Sequence, residues 1–412
     1  MTTRCPFASR RGLLAATGGL LATAAVPLVA HASQEPDIEP FWGDHQGGIV
    51  TPQQRHTYFA ALDLTAKRAD DVVTLLRSWT VAAARMATGD TAQPLGADRS
   101  NPAGDSGDAL GLPPSRLTIT FGFGVGLFSK DGVDRYGLAS RRPDALVDMP
   151  AFNGDQLVEG HSGGDLSIQA CADDAQVAFH AVRQFVRLAY GAAQLRWVQS
   201  GFLPAYPAGE TPRNLMGFKD GTINPKPPFP AVWVTDDGPA WMRDGSYLVT
   251  RRIRISLEHW DRTELDFQEE VIGRRKYSGA PLGGRNEFDT LDLDAMDQDG
   301  NPVIAENAHV RLAAPEANGG AEILRRAYSY NDGVNFTAER WPPWHQGLMY
   351  DAGLFFVAYQ RDPRSGFIRI FEKMAKLDAL NQYTTHVGSA LFACPGGVQK
   401  GEFIGQRLFE IA

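Results

Sequence analysis

The sequence predicts an α+β fold in which one kind of unit, an antiparallel sheet with helices on one face, occurs twice in succession. Two observations carry that prediction. A strand, an acidic turn and an amphipathic helix recur in the two halves, and further strands precede this unit each time. With 412 residues the chain is long enough for two such halves, each covering its own apolar face.

In the first half, Tyr58 to Leu64 and Leu117 to Phe123 read as the leading strands. Asp165 to Cys171 alternates like a half-buried strand and is followed by Ala172-Asp173-Asp174. Val177, Phe179, Val182, Phe185, Val186 and Leu188 then fall at helical spacing. In the second half, Tyr247 to Leu257 and Arg326 to Tyr330 lead, and Gly353 to Tyr359 is the strand of the repeated unit. Arg361-Asp362-Pro363 breaks it, and Phe367, Ile368, Ile370, Phe371, Met374 and Leu377 make the helical face. Between the halves, the proline-rich run from Pro204 to Arg213 reads as a linker, which divides the chain into residues 33–210 and 211–412. Met86 to Ser115, rich in Gly, Asp, Ala and Pro, reads as an exposed loop.

Residues 1–32 form a segment of their own. Arg4, Arg10 and Arg11 precede an apolar stretch from Leu13 to Ala30, and Ala30-His31-Ala32 supplies a small-residue cleavage site. Ser9-Arg10-Arg11-Gly12-Leu13-Leu14 has the form of a twin-arginine export signal, and periplasmic or extracellular placement is the expectation. The apolar run is short for a membrane span and contains Gly18, Gly19 and Pro27, so no membrane anchor is expected. Loss of these three arginines takes the formal charge from -8 to -11, which argues against nucleic acid as a partner. Cys5 leaves with the signal, and Cys171 and Cys394 are too few for a disulfide framework, though one bond between them stays open. No Cys-x-x-Cys-His occurs, so any haem is held without thioether bonds.

The segment richest in chemistry is Met216-Gly217-Phe218-Lys219-Asp220-Gly221-Thr222-Ile223-Asn224-Pro225. Two glycines around one acid allow backbone conformations closed to other residues and a close approach to a flat ligand. The same letters also build an ordinary turn, with Asp bonding its own backbone and Gly supplying the positive φ. Downstream lie His309, in Glu306-Asn307-Ala308-His309-Val310-Arg311, and Arg325, in Ile323-Leu324-Arg325-Arg326. Taken alone, that arginine pair is equally a solvated positive patch. With Phe121 to Gly124, Gly163 to Leu166, Gly353 to Gln360 and Tyr383 to Gly388, these segments resemble the dye-decolourising (DyP-type) haem peroxidases, in that family's order and over nearly all of the chain after residue 32. The exported deferrochelatase/peroxidase subgroup is the most similar.

The resemblance implies duplicated ferredoxin-like domains, non-covalently bound haem b, and hydrogen peroxide with small organic reductants as substrates. The alternative it carries is a deferrochelatase, a protein that handles haem iron in iron uptake. It implies His309 as iron ligand, with His386 the competitor, and Asp220 and Arg325 as the catalytic pair. Asp220 would move the proton that peroxide cleavage needs, and Arg325 would stabilise the charge that builds up, or pair with Asp220 or a propionate. Gly217, Phe218, Gly221, Thr222, Leu354 and Phe356 are expected against the cofactor, Arg311 at a propionate, and Asn224 as an orienter of the loop. A ligating histidine needs a carboxylate on its second nitrogen, and where the family pattern calls for one this chain has Gln382, with Asp378 a helical turn earlier. Surface aromatics are expected to relay electrons, with Trp260, Trp341, Trp344, Tyr328 and Tyr330 as nominees. Family members form dimers, and a homodimer is expected on that ground.

Overall fold

Strand β1 (His56–Leu64), helix α1 (Ala69–Met86), β2 (Thr118–Phe123), the short helix α2 (Val125–Phe128), β3 (Leu166–Ala172), α3 (Ala175–Leu188) and β4 (Ala193–Phe202) make the first half of this computed structural model. It describes residues 37–207, 209–338 and 346–410. Residues 1–32, read as an export signal, and the nominees Trp341 and Trp344 lie outside the described residues. No described helix is long and apolar enough to cross a membrane.

The first-half strands pair antiparallel in the order β2-β3-β1-β4. Helix α3 starts where the acidic turn predicts, because the Asp174 carboxylate accepts from the Gln176 and Val177 amides and so caps the first turn. It buries Val177, Ala181, Val182 and Phe185 against the sheet, while Phe179, expected on that face, is 41% exposed and leans on Tyr58 instead. Beneath the helices, Phe121 stacks on Trp79 at 5.5 Å and meets Phe185 edge-on at 5.2 Å.

The second half contains β5 (Ser246–Ile255), α4 (Leu257–Trp260), α5 (Leu265–Ile272), α6 (His309–Ala313), β6 (Leu324–Arg325), β7 (Tyr328–Ala338), β8 (Gln346–Gln360), α7 (Arg369–Leu377), β9 (Thr384–Cys394) and α8 (Gln406–Phe409). Here β5 lies between β8 and β9, and β6 and β7 both pair with β8. Helix α7 buries Ile370, Phe371 and Met374 as expected, but Leu377 at its end is 56% exposed.

The two sheets are continuous rather than separate. Phe123 of β2 pairs with Ala393 of β9, and Phe202 of β4 with Ser329 of β7, so nine antiparallel strands form one closed, barrel-like sheet. Closure makes a second core inside, where Phe59, Trp197, Phe355, Tyr359 and Phe392 meet. It also corrects the reading of β3 as half-buried, since all seven of its residues are buried. Its polar positions face the barrel interior, where Gln169 bonds Thr57 and the Tyr359 hydroxyl. Tyr328 and Tyr330 are likewise 0% exposed and Trp260 is 1% exposed, so none of the three is the surface relay expected of it. Cys171 and Cys394 are buried free thiols.

Two loops also differ from their predicted character. Within Met86 to Ser115, Asp105 is buried and, with Asp108, flanks the His180 ring on α3. In the run expected as a linker, Arg213 is tied to the carbonyls of Gly217, Lys276 and Tyr277.

Candidate active site

The loop after Arg213 is shaped by its own polar residues. The Asn214 side chain accepts from the Met216 and Phe218 amides, and its own amide donates to the Phe218 carbonyl. Gly217 at φ +84° and Gly221 at φ +110° supply the left-handed conformations that this turn requires. Asp220 stands between them, its amide on the Pro212 carbonyl at 2.9 Å.

Arg325 comes to this loop from strand β6, which pairs with β8 through Arg325 and Ala358. Its Nη1 donates to Asp220 Oδ1 at 3.0 Å and its Nη2 to the Ile223 carbonyl at 3.2 Å. Asn224 joins the two segments by a reciprocal pair, donating to the Arg325 carbonyl at 2.9 Å and accepting from its amide at 3.2 Å. The orienting role expected of Asn224 therefore has a physical form. Arg326, its neighbour, is no solvated patch: it is buried and bonded to Thr51 and Gln54.

His309 opens α6, and its Nδ1 is 2.7 Å from Asp378 Oδ2. A carboxylate only accepts, so Nδ1 donates and the proton-free position of the neutral ring is Nε2. Burial lowers the pKa of His309, but the charge and hydrogen bond of Asp378 outweigh it and leave the pKa above the ordinary imidazole value. Asp378 holds the next turn as well, accepting from the Leu380 amide at 2.8 Å, and the Ala379 amide bonds the Asn307 carbonyl at 3.0 Å. Gln382 gives its amide to the Ala379 carbonyl instead. The carboxylate absent at position 382 is thus supplied by Asp378.

One cavity gathers these groups. Phe218, Asp220, Gly221, Thr222, His309, Arg325, Leu354 and Phe356 all line it, together with Asp378 and His386. Leu354 and Phe356 do so from one face of β8, as their two-residue spacing requires. Two expected contacts fall outside the lining. Gly217 serves the turn, packed where a Cβ would lie 2.7 Å from Lys276 Cε. Arg311 is drawn to the Ile304 and Leu293 carbonyls, which satisfy its guanidinium away from the cavity.

Sequence reasoning missed Arg251. This residue of β5 is 0% exposed, lines the cavity, and donates to His386 Nδ1 at 3.0 Å and Ser389 Oγ at 2.9 Å while pairing with Asp155. Burial, reinforced by the Arg251 charge, holds His386 well below the ordinary imidazole pKa. A neutral ring that accepts at Nδ1 carries its proton on Nε2, so His386 has no lone pair left for a metal and is a wall of the cavity. The available signal was the Arg251-Arg252-Ile253-Arg254 run inside an otherwise apolar strand, since a cation placed there must find a buried partner.

The chain matches family models over most of its length. Residues 46–203 match the model described as Dyp-type peroxidase, N-terminal, and residues 211–399 the one described as Dyp-type peroxidase, C-terminal. A dye-decolorizing peroxidase of Thermobifida fusca is 41% identical over 89% of this chain and 84% of its own. A deferrochelatase of Escherichia coli K12 is 36% identical over 98% and 97%. Among solved structures, the oxyferrous complex of DtpA from Streptomyces lividans superposes with a TM-score of 0.81 at 42% identity, covering 90% of this chain and 98% of that one. A structure of a DyP-type peroxidase from Cellulomonas bogoriensis gives 0.80 at 40% identity, covering 91% and 99%. With both halves matched in order and full-length relatives at this identity, the chain belongs to the Dyp-type peroxidase family.

Proposed function

We propose that the protein is a haem-dependent peroxidase that reduces hydrogen peroxide and oxidises organic molecules, dyes and phenols among them, by one-electron steps. The observation that carries this is the meeting in one cavity of an imidazole oriented by a carboxylate and an Asp220–Arg325 pair. The residues fit haem b bound without covalent links. In its neutral form His309 offers an unprotonated Nε2, and Leu354, Phe356, Phe367, Ile370 and Met374 provide apolar walls. When bound, haem supplies an iron with one coordination position open to peroxide and the electrons that cleave it. His309 would hold the iron, and Asp378 fixes the tautomer of the ring and raises its basicity. Asp220 takes a proton from peroxide and returns it to the departing oxygen. Arg325 holds Asp220 in place and stabilises the negative charge that develops there.

A second reading, release of iron from haem, is favoured by the deferrochelatase of E. coli, which aligns with nearly the whole chain. Both readings use the same cavity and the same His309. Each half is further read as a ferredoxin-like unit, with residues 33–210 and 211–412 as the two domains. The order β2-β3-β1-β4 in the first and β7-β8-β5-β9 in the second supports this. Export by the twin-arginine route, with periplasmic or extracellular residence, rests on Arg10-Arg11 and the apolar run that follows. Assembly as a homodimer rests on the family alone.

The test is an absorption spectrum of the purified, haem-loaded protein before and after peroxide. A Soret band that shifts on addition and is lost in His309→Ala supports the peroxidase. Failure to retain haem overturns it, and a band that persists in His309→Ala overturns the assignment of His309 as the iron's ligand.

A further inference from the structure

We infer that Glu287 is a positioning residue for the peroxide step, gripping the loop on both sides of Asp220 and fixing where its carboxylate stands. The inference rests on the peroxidase reading above and concerns a residue outside the lining of the cavity.

Glu287 belongs to the segment between α5 and α6 and is 8% exposed. Its Oε2 accepts from Lys219 Nζ at 2.5 Å and its Oε1 from Thr222 Oγ1 at 3.0 Å. These donors lie one residue before and two residues after Asp220. The Asp220 amide is itself held by the Pro212 carbonyl at 2.9 Å. One carboxylate therefore ties two points of the loop, one on each side of Asp220, to a single anchor. The anchor is itself fixed, because buried Arg274 donates to the Glu287 carbonyl at 2.9 Å and to the Gly279 carbonyl at 2.7 Å. Lys219 is confined along its stem, since a Cβ at Gly279 would lie 2.8 Å from its Cδ.

Stability alone does not call for this arrangement. A buried ion pair gains little over well-packed apolar residues of the same volume, because desolvating both charges offsets their attraction. What a carboxylate with both oxygens engaged adds is geometry. Displacement of a reacting group by about 1 Å costs on the order of a hundredfold in rate. The pair also neutralises an ammonium adjacent in sequence to Asp220.

Three variants test the inference: Glu287→Ala, Glu287→Gln, and the double variant Lys219→Met with Glu287→Leu. In Glu287→Ala the second-order rate with peroxide is expected to fall roughly tenfold to a hundredfold, with the Soret band and haem affinity unchanged. Amide hydrogen exchange across 217–222 is expected to rise, in haem-free and haem-loaded protein alike. Glu287→Gln keeps one accepting oxygen in place of two, so its exchange and its rate with peroxide are expected to fall between those of the parent and of Glu287→Ala. The double variant restores packing without the grip, and it stays slow although as stable as the parent. Wild-type rates together with wild-type exchange in Glu287→Ala would overturn the inference, as would recovery of rate in the double variant. If the parent itself does not react with peroxide, the peroxidase reading fails. The exchange measurement on haem-free protein then still decides whether Glu287 holds the loop.

Discussion

Asp378 and His309, 69 positions apart in sequence, meet at 2.7 Å, and the carboxylate that orients the imidazole also caps the turn after α7. The hydrogen bond and the local backbone thus stabilise one another. Asp378→Asn leaves a neutral amide beside Nδ1 and a less basic ligand. Haem affinity is expected to drop about tenfold to a hundredfold and the reduction potential of the iron to rise. Haem titration and potentiometry check this, and an unchanged potential counts against the pairing.

Asp220→Asn keeps size and shape while removing the group that moves the proton. The rate of reaction with peroxide is expected to fall by roughly 10²–10⁴, with haem binding as in the parent. Stopped-flow mixing with peroxide measures the first and haem titration the second. Release of iron from haem, assayed in the same variant, separates the two functional readings, because a haem-handling protein retains that activity.

Arg325→Lys preserves charge but not the fork that reaches both Asp220 and the Ile223 carbonyl. A lysine presents its donors from a single point in place of a planar fork. The peroxide step is expected to slow by about 10²–10³ with little change in thermal unfolding temperature. A variant with parental kinetics would show that the charge alone suffices.

Phe121→Ala tests the fold apart from the site. The ring lies between Trp79 and Phe185 beneath the first-half helices. Its removal is expected to cost about 3–5 kcal/mol in denaturant unfolding. The peroxide rate of the folded fraction should not change, since Phe121 lines no part of the cavity.

Asp108 gives a pH signature. Burial raises its pKa, but hydrogen bonds from Ser106 and His180 outweigh it and hold the pKa down to about 2. A carboxylate depressed in the folded state stabilises above its ordinary pKa and loses that contribution as pH falls through the folded value. Asp108→Asn is therefore expected to be less stable than the parent by about 1 kcal/mol at pH 7. The difference should shrink as pH falls below about 4 towards 2, the window between the ordinary and folded pKa values. Unfolding curves at pH 7 and pH 3 compare the two proteins, and a pH-independent gap contradicts the assignment.

What could be read along the chain was whatever neighbouring residues decide. The start of α3 follows from Asp174 and the apolar spacing behind it, and Leu354 and Phe356 share a face because strands alternate. The glycine-flanked acid was legible for the same reason, as positive φ at Gly217 and Gly221 is a local demand. Arg311 shows the limit. It stands two residues from His309, yet the carbonyls of Ile304 and Leu293 lie nearer to hand, and no local rule announces that.

The sequence by itself determined the kinds of element, their order in two halves and the loop bearing Asp220, while its resemblance to the family pointed to His309 and Arg325 as that loop's companions. Only the tertiary structure decided that Asp378 rather than residue 382 completes the histidine, that Arg251 locks His386, and that barrel closure buries Tyr328 and Tyr330. Dihedral preference and periodicity act over a few residues and are written in adjacent letters. Which acid meets which base depends on strands paired across the whole chain, where separation in space is set by packing rather than by sequence distance.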